Sequence, residues 1–498
     1  MLPGRDRKLV TAALMLGNAL AALEATAVAP ALPTAVAELG GVARLSWVFS
    51  AYLLTSTTTV PLYGKLADLY GRRLTYHASV VLFLLGSALC GTSHSIGQLI
   101  VFRAIQGLGA GGVQPIALTV VADIFGLEER GRMQGLFSGV WASASLVGPF
   151  LGGLITVAFS WRWIFYLNLP LGLASSLLLH RYLREERGRR EHQLDVLGTA
   201  TLTVAVTLLL LGVTEGPELW GWSDGRTLGL FAGAALGLVV FLWQERRAPE
   251  PMLPLALFRN RVISVSAAGN AIIGAQLFAI TAYVPMFAQG VLGGTAVDAG
   301  TTLAPILLGW PIASTLAGRL ITRVSYRHMS MAGGGLLAAG TALLVHGGRA
   351  GGRGEIMAAM MIAGCGLGFL STPFLIAVQS AVPRGQRGVA TSTVQFFRTI
   401  GGAVGVAALG ALFNARLLAA SGVHPADAES ALEPALRAGL APAVLAHLTA
   451  ALRGALGSVY LVLAAVGALS LGIALAFPPG LATALALPER KADLEIVG

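Results

Sequence analysis

A carboxylate in the middle of a hydrocarbon-like run is the feature of this chain that most clearly asks for chemistry. Glu24 sits in Leu9–Leu32, an apolar stretch of span length, about 12 Å from its far end at about 1.5 Å per residue. An acid so placed costs about 2.5–3.5 kcal/mol, so it faces a cavity or a partner and marks an ion or proton path. Glu24 is therefore read as a proton-coupling group that also attracts cationic substrate; a purely structural, hydrogen-bonded acid is the alternative. Arg103 lies at similar depth in another apolar run. On a helix, Arg103, Gln106, Ala110 and Gln114 fall within about 60° of one another and form a polar stripe expected to face an interior cavity. Arg103 either modulates the proton affinity of Glu24 or locks helices through carbonyls. Arg398 is a second intramembrane cation with no counter-ion evident from sequence, and structural and ion-path roles both stay open.

Other groupings carry less. Gly107–Gly112 has the spacing of a dinucleotide-binding loop, but without a preceding strand it reads as a place where helix backbones approach closely. The Gly64-Lys65 pair is followed by Leu66 and lacks phosphate-loop spacing, so a nucleotide-driven pump is disfavoured. The eight histidines are scattered, and Cys90 and Cys365 both lie in apolar runs, which supports neither a metal site nor a disulfide framework. No enzyme activity and no cofactor is expected.

The elements that must position these residues follow from composition. A mean hydropathy of +0.73, with 55% hydrophobic and 12% charged residues over 498, excludes an ordinary soluble enzyme. About fourteen apolar segments are long enough to span a bilayer, which needs roughly 20 residues each. The fold class is thus an all-α integral membrane protein. A net charge of +10 could suggest nucleic acid, yet the basic residues concentrate in alternate loops, the positive-inside pattern, which places both termini in the cytoplasm. The basic start and apolar first run resemble a secretory signal, but the run is long, contains Glu24 and is followed by Pro30, so it reads as a retained first span.

Shifting the sequence by 254 positions lays Gly64-Lys65-Leu66 on Gly318-Arg319-Leu320 and Arg73 on Arg327. Two related six-helix bundles are implied, residues 1–190 and 251–498, with two extra central spans in 191–250. Parallel repeats of this kind hold substrate between the halves and work by rocking one against the other. Gly64–Arg73 itself reads as a charged turn between two spans. Residues 416–453 read as a long segment on the outer side, where Leu432, Leu436, Leu440, Val444, Leu448 and Leu452 would line one face of an interfacial helix. Gly139–Gly153, with Pro149, reads as a kinked and closely packed helix.

With those motifs in hand, the chain resembles the major facilitator superfamily, in particular its fourteen-helix drug:proton antiporter branch. Gly64–Arg73 matches the superfamily's loop motif at nearly every position, and Arg103-x-x-Gln106-Gly107 matches its fourth-helix motif. Gly148-Pro149-x-x-Gly152-Gly153 resembles the fifth-helix antiporter motif, and Trp161–Asn168 a signature opening the sixth. Thr393–Gly402, which contains Arg398, resembles a pattern of the same branch. Glu24 stands where the branch often has Asp. The resemblance implies a conformational latch at Gly64, Asp68, Gly71, Arg72 and Arg73, and an exporter's motif at Gly139, Gly148, Pro149, Gly152 and Gly153. It further implies a monomeric plasma-membrane exporter that exchanges lipophilic, often cationic, small molecules for protons. Its partners would be substrate, protons and membrane lipid, with no nucleic acid. Export of a lipid or glycolipid is the alternative, and proton-coupled uptake a weaker one.

Overall fold

The computed structural model describes residues 4–40, 44–185, 195–349, 351–421 and 441–480, and every element of defined secondary structure among them is helical. The chain opens with α1 (Gly4–Ala27), which a 3-10 turn at Pro30 joins to the short α2 (Leu32–Leu39). Then follow α3 (Leu45–Tyr70), α4 (Arg72–Gly91), α5 (Ile96–Ile124), α6 (Leu127–Ala158) and α7 (Arg162–Tyr182). The extra pair is α8 (Val196–Thr214) and α10 (Gly225–Glu245), with the four-residue α9 (Gly216–Leu219) between them. The remainder comprises α11 (Arg261–Gly290), α12 (Ala296–Leu320), α13 (Tyr326–Arg349), α14 (Arg353–Ser380), α15 (Arg387–Ser421) and α16 (Pro442–Leu475).

Thirteen of these helices are long and apolar enough to cross a membrane. The fourteenth long helix, α3, falls short because of its run Thr55-Ser56-Thr57-Thr58-Thr59 and its charged end. It packs against α4, α5, α8 and α15, and several of its hydroxyls donate to carbonyls one turn back. Ion pairs and carbonyl contacts fix the up-and-down order: Arg7 meets Glu129 at 2.5 Å, Arg72 meets Asp123 at 3.0 Å, and Arg261 donates to Ala476 O at 2.8 Å. The starts of α1, α4, α6 and α11 and the end of α16 therefore share one face, here called the terminal face.

Glycine decides where these helices touch. A methyl at Gly107 would meet Tyr52 O at 2.6 Å, one at Gly109 would overlap Phe83 N, and one at Gly111 would meet Ser56 O at 2.5 Å. The glycine run of α5 is thus a bare surface against α3 and α4, as close packing requires.

Two expectations are corrected. Gly64–Arg73 is not a turn: α3 stays helical through Tyr70, and only Gly71, at φ +95°, breaks it before α4 begins. Helix is favoured there because Lys65, Leu66 and Ala67 are good helix formers. The outer segment is also shorter than 416–453, since α15 runs to Ser421 and α16 starts at Pro442. Leu448 and Leu452 are buried in the first turns of that last helix, so they belong to its packing and not to an interfacial cap. Leu432, Leu436 and Leu440, and residues 186–192 of the connector, lie outside the described residues.

Candidate functional site

α1 brings Glu24 into the middle of the helices α1–α7, the first of two packed groups, the second being α11–α16. It can approach α4 and α7 because Gly17 has no side chain: a methyl there would overlap Tyr76 Oη. The two carboxylate oxygens of Glu24 are divided between partners. Oε1 accepts from Arg103 Nη1 on α5, and Oε2 accepts from Asn168 Nδ2 on α7 at 2.6 Å. Arg103 also donates from Nη1 to Gln106 Oε1 at 2.8 Å and from Nε to Val48 O at 3.3 Å. Its guanidinium lies 4.2 Å from the centroid of the Tyr52 ring. Ser87 on α4 closes the circuit. It accepts from Asn168 at 2.9 Å and from Gln106 at 3.2 Å, and donates to Phe165 O at 2.8 Å.

Glu24, Ser87, Arg103, Gln106 and Asn168 are each no more than 3% exposed. A charge pair so deep is tolerable only because its other hydrogen-bonding positions are filled, and removing one member leaves an uncompensated charge at about 3–5 kcal/mol. Chemically, the circuit holds a carboxylate between a fixed cation and a neutral amide. The same carboxylate ties α1 to α5 through Arg103 and to α7 through Asn168, so its contacts fix the packing of these three helices.

The polar stripe on α5 divides. Arg103 and Gln106 turn into this circuit, whereas Gln114 reaches across to α15, where its Oε1 accepts from Arg398 Nη2 at 3.3 Å. Among the described residues no carboxylate pairs with Arg398. That cation is held by an amide of the opposite group.

A second constellation lies at the terminal face. Asp68, near the end of α3, accepts from Gly388 N at 2.9 Å and Val389 N at 2.8 Å, and so caps the start of α15 with a charge. Arg72 ties the knot: its Nη2 donates to Asp68 Oδ1 at 2.7 Å and to Arg384 O at 2.6 Å, while its Nε donates to Asp123 at 3.0 Å. Arg387 donates to the other oxygen of Asp123 at 2.7 Å. Gly64 permits this crossing, since a methyl there would meet Gly388 O at 2.7 Å and overlap Ser392. Gly71 gives the turn into α4, where the backbone N–H groups of Arg72 and Arg73 donate to Glu185 at 2.8 and 3.1 Å.

Gly148 and Gly152 bring α6 against α1 just beyond Glu24. Methyls there would overlap Thr26 Oγ1 and Ala27 O respectively. Gly139 and Gly153 do not make such contacts, and Pro149 is exposed. Sequence reasoning did not single out Ser87, Asp123, Glu185, Arg387 or Gly388. Asn168 was visible only as the last residue of the Trp161–Asn168 signature.

Thirteen helices long and apolar enough to cross a bilayer, with a buried charge circuit and a capped helix crossing among them, define the class as a polytopic membrane protein. The chain matches the Major Facilitator Superfamily over residues 14–406, and it belongs to that family. It is 36% identical over 410 residues to the multidrug transporter protein MdtP of Bacillus subtilis (strain 168), covering 82% of this chain and 76% of that one. To multidrug resistance protein 3 of the same organism it is 35% identical over 403 residues, covering 81% and 79%. Among solved structures, the human organic anion transporter MFSD10 (TETRAN) superposes with a TM-score of 0.61 at 16% identity, covering 93% of this chain and all of that one. The likeness to that structure concerns the fold alone. The protein is a multi-pass membrane transporter, not an enzyme.

Proposed function

We propose that this chain is a proton-coupled exporter of small lipophilic, often cationic, compounds, working as a monomer in the plasma membrane by alternating access. The observation that carries this reading is the Glu24 circuit: a buried carboxylate held by Arg103 of α5 and Asn168 of α7, both tied in turn to Ser87 of α4 directly or through Gln106. The names of the bacterial relatives support multidrug export, and the basic clusters at the terminal face support cytoplasmic termini. In this reading residues 1–190 and 251–498 form the two rocking bundles, with 191–250 as an added pair. The crossing at Asp68 latches their terminal face. Proton uptake by Glu24 loosens the circuit as substrate leaves outward; with the other face open, proton loss restores the circuit and substrate is accepted again. Proton and substrate then compete through linked equilibria. Lipid export, the alternative reading, drew its support from segment 416–453, whose two ends continue the helices α15 and α16.

The test is ethidium efflux from loaded cells expressing wild type or Glu24→Gln, with and without a protonophore. Wild-type efflux is expected to collapse with protonophore and to be lost in Glu24→Gln. Proton-driven efflux that survives Glu24→Gln at wild-type rate overturns the assignment of Glu24.

A further inference from the structure

The two helix groups meet along two seams, α3 with α15 and α6 with α12. They are treated differently. α8 of the extra pair packs on both α3 and α15, and Glu215, just past its end, accepts from Ser50 of α3. Among the described residues no such pair packs on the other seam. There a groove of about 760 Å³ runs along α6, bounded by α1 and α12, and this volume is within the roughly 300–1,000 Å³ of typical ligand pockets.

Its length is apolar, with Leu23, Leu136, Val140, Val147 and Leu151 along the walls. Leu136 and Val147 are 51% and 43% exposed, and on the same side of α12 Ile312 and Leu316 are exposed too, so the groove opens sideways toward lipid. Only its end at the terminal face is charged, by Arg132 and Arg319. Arg319 occupies in the second copy of the repeat the place that Lys65 holds in the first, but no carboxylate pairs with it among the described residues. Among the described residues the one carboxylate paired with Arg132 is that of Glu128, at 2.9 Å, and both side chains are more than half exposed.

We propose that this groove is a binding site for an anionic phospholipid, with the headgroup phosphate between Arg132 and Arg319 and one acyl chain lying along α6. The charge pattern selects that occupant: two guanidiniums match a phosphate geometrically, and basic pockets at helix ends take anionic headgroups. The dimensions agree. One leaflet is about half of the ~30 Å hydrocarbon thickness, a distance α6 covers in about ten residues, from Arg132 to the neighbourhood of Ser143.

The experiment uses the full-length protein in detergent and native mass spectrometry with phosphatidylglycerol or phosphatidylcholine of matched chains. Wild type should retain phosphatidylglycerol on the order of tenfold better, from two surface arginines. Arg132→Gln/Arg319→Gln should abolish that preference. Ser143→Phe, which fills the groove at mid-length, should reduce retention of both lipids, and Glu128→Gln should strengthen phosphatidylglycerol binding. Ser143 and the three charged residues are exposed, and size-exclusion profiles check that each variant is folded. Equal retention of the two lipids by wild type, or an unchanged preference in the arginine variant, overturns the proposal. Full displacement by millimolar inorganic phosphate also overturns it, because the site would then hold an anion without a chain.

Discussion

Asn168 is the most informative single residue to change, because it touches Glu24 without carrying charge. Arg103→Ala would strand the Glu24 carboxylate in the protein interior at a cost of about 3–5 kcal/mol, which confounds function with folding. Losing the amide of Asn168 removes one charge-assisted bond of about 1.5–3 kcal/mol and leaves the ion pair intact. Asn168→Ala is therefore expected to fold, and to slow proton-driven efflux without abolishing it, because Glu24 keeps Arg103 but loses its tie to α7. Initial efflux rates at matched expression check this; an unchanged rate would make Asn168 a packing residue only. Glu24 and Arg103 are legible in the sequence because a charge in an apolar run is conspicuous. Ser87 and Asn168 are not, since neutral polar residues are common in spans and only tertiary packing reveals which ones meet. The same reason hid the partner of Arg398, an amide 284 positions away.

Among elements, the crossing of α3 and α15 depends on two bare backbones and one cap. A methyl at Gly388 would come within 2.4 Å of Gly64 O, so Gly388→Val should hold the two helices apart whatever the charges do. Asp68→Asn acts differently. It keeps the shape but loses a charged cap and the pairing with Arg72, together worth about 1–3 kcal/mol, or about 5- to 150-fold in the balance between closed and open terminal face. Both variants are expected to bind substrate with little change and to turn over more slowly. Substrate binding by fluorescence polarisation and transport in proteoliposomes separate the two quantities, and weakened binding with normal turnover would remove the latch assignment. The motif's identity could be read from sequence, but its conformation could not. Charge and flanking glycines suggested a turn, whereas the chain stays helical to Tyr70 and places Asp68 on the helix face that meets α15.

For the molecule as a whole, the repeat seen at a 254-residue offset has become a near-symmetric pair of crossings with unequal chemistry. Gly318 of α12 lies against Gly131 of α6 much as Gly64 lies against Gly388, each leaving no room for a methyl. At the second crossing Thr322 stands where the first has Asp68, and α6 is capped by its own Glu129, which accepts from Gly126 N at 3.3 Å. One seam thus carries a charged cap from the opposite helix group, whereas at the other the backbones of Gly131 and Gly318 meet directly. The extra pair adds to the first: Glu215, buried at the end of α8, accepts from Ser50 of α3 at 2.5 Å, so that pair is anchored to the first helix group. If the groups rock, the α6–α12 contact must break in each cycle. A cross-link there should stop transport. Gly135 and Thr315 suit one, because a Cβ at 135 would stand 3.0 Å from Thr315 Cβ, close to the ~3.8 Å of a disulfide after slight adjustment. With Cys90 and Cys365 replaced by Ala, Gly135→Cys/Thr315→Cys should transport when reduced, lose transport on oxidation and regain it with dithiothreitol. Undiminished transport by the oxidised, mass-verified cross-linked protein would mean that this seam never opens, and alternating access through rocking would fail for this chain.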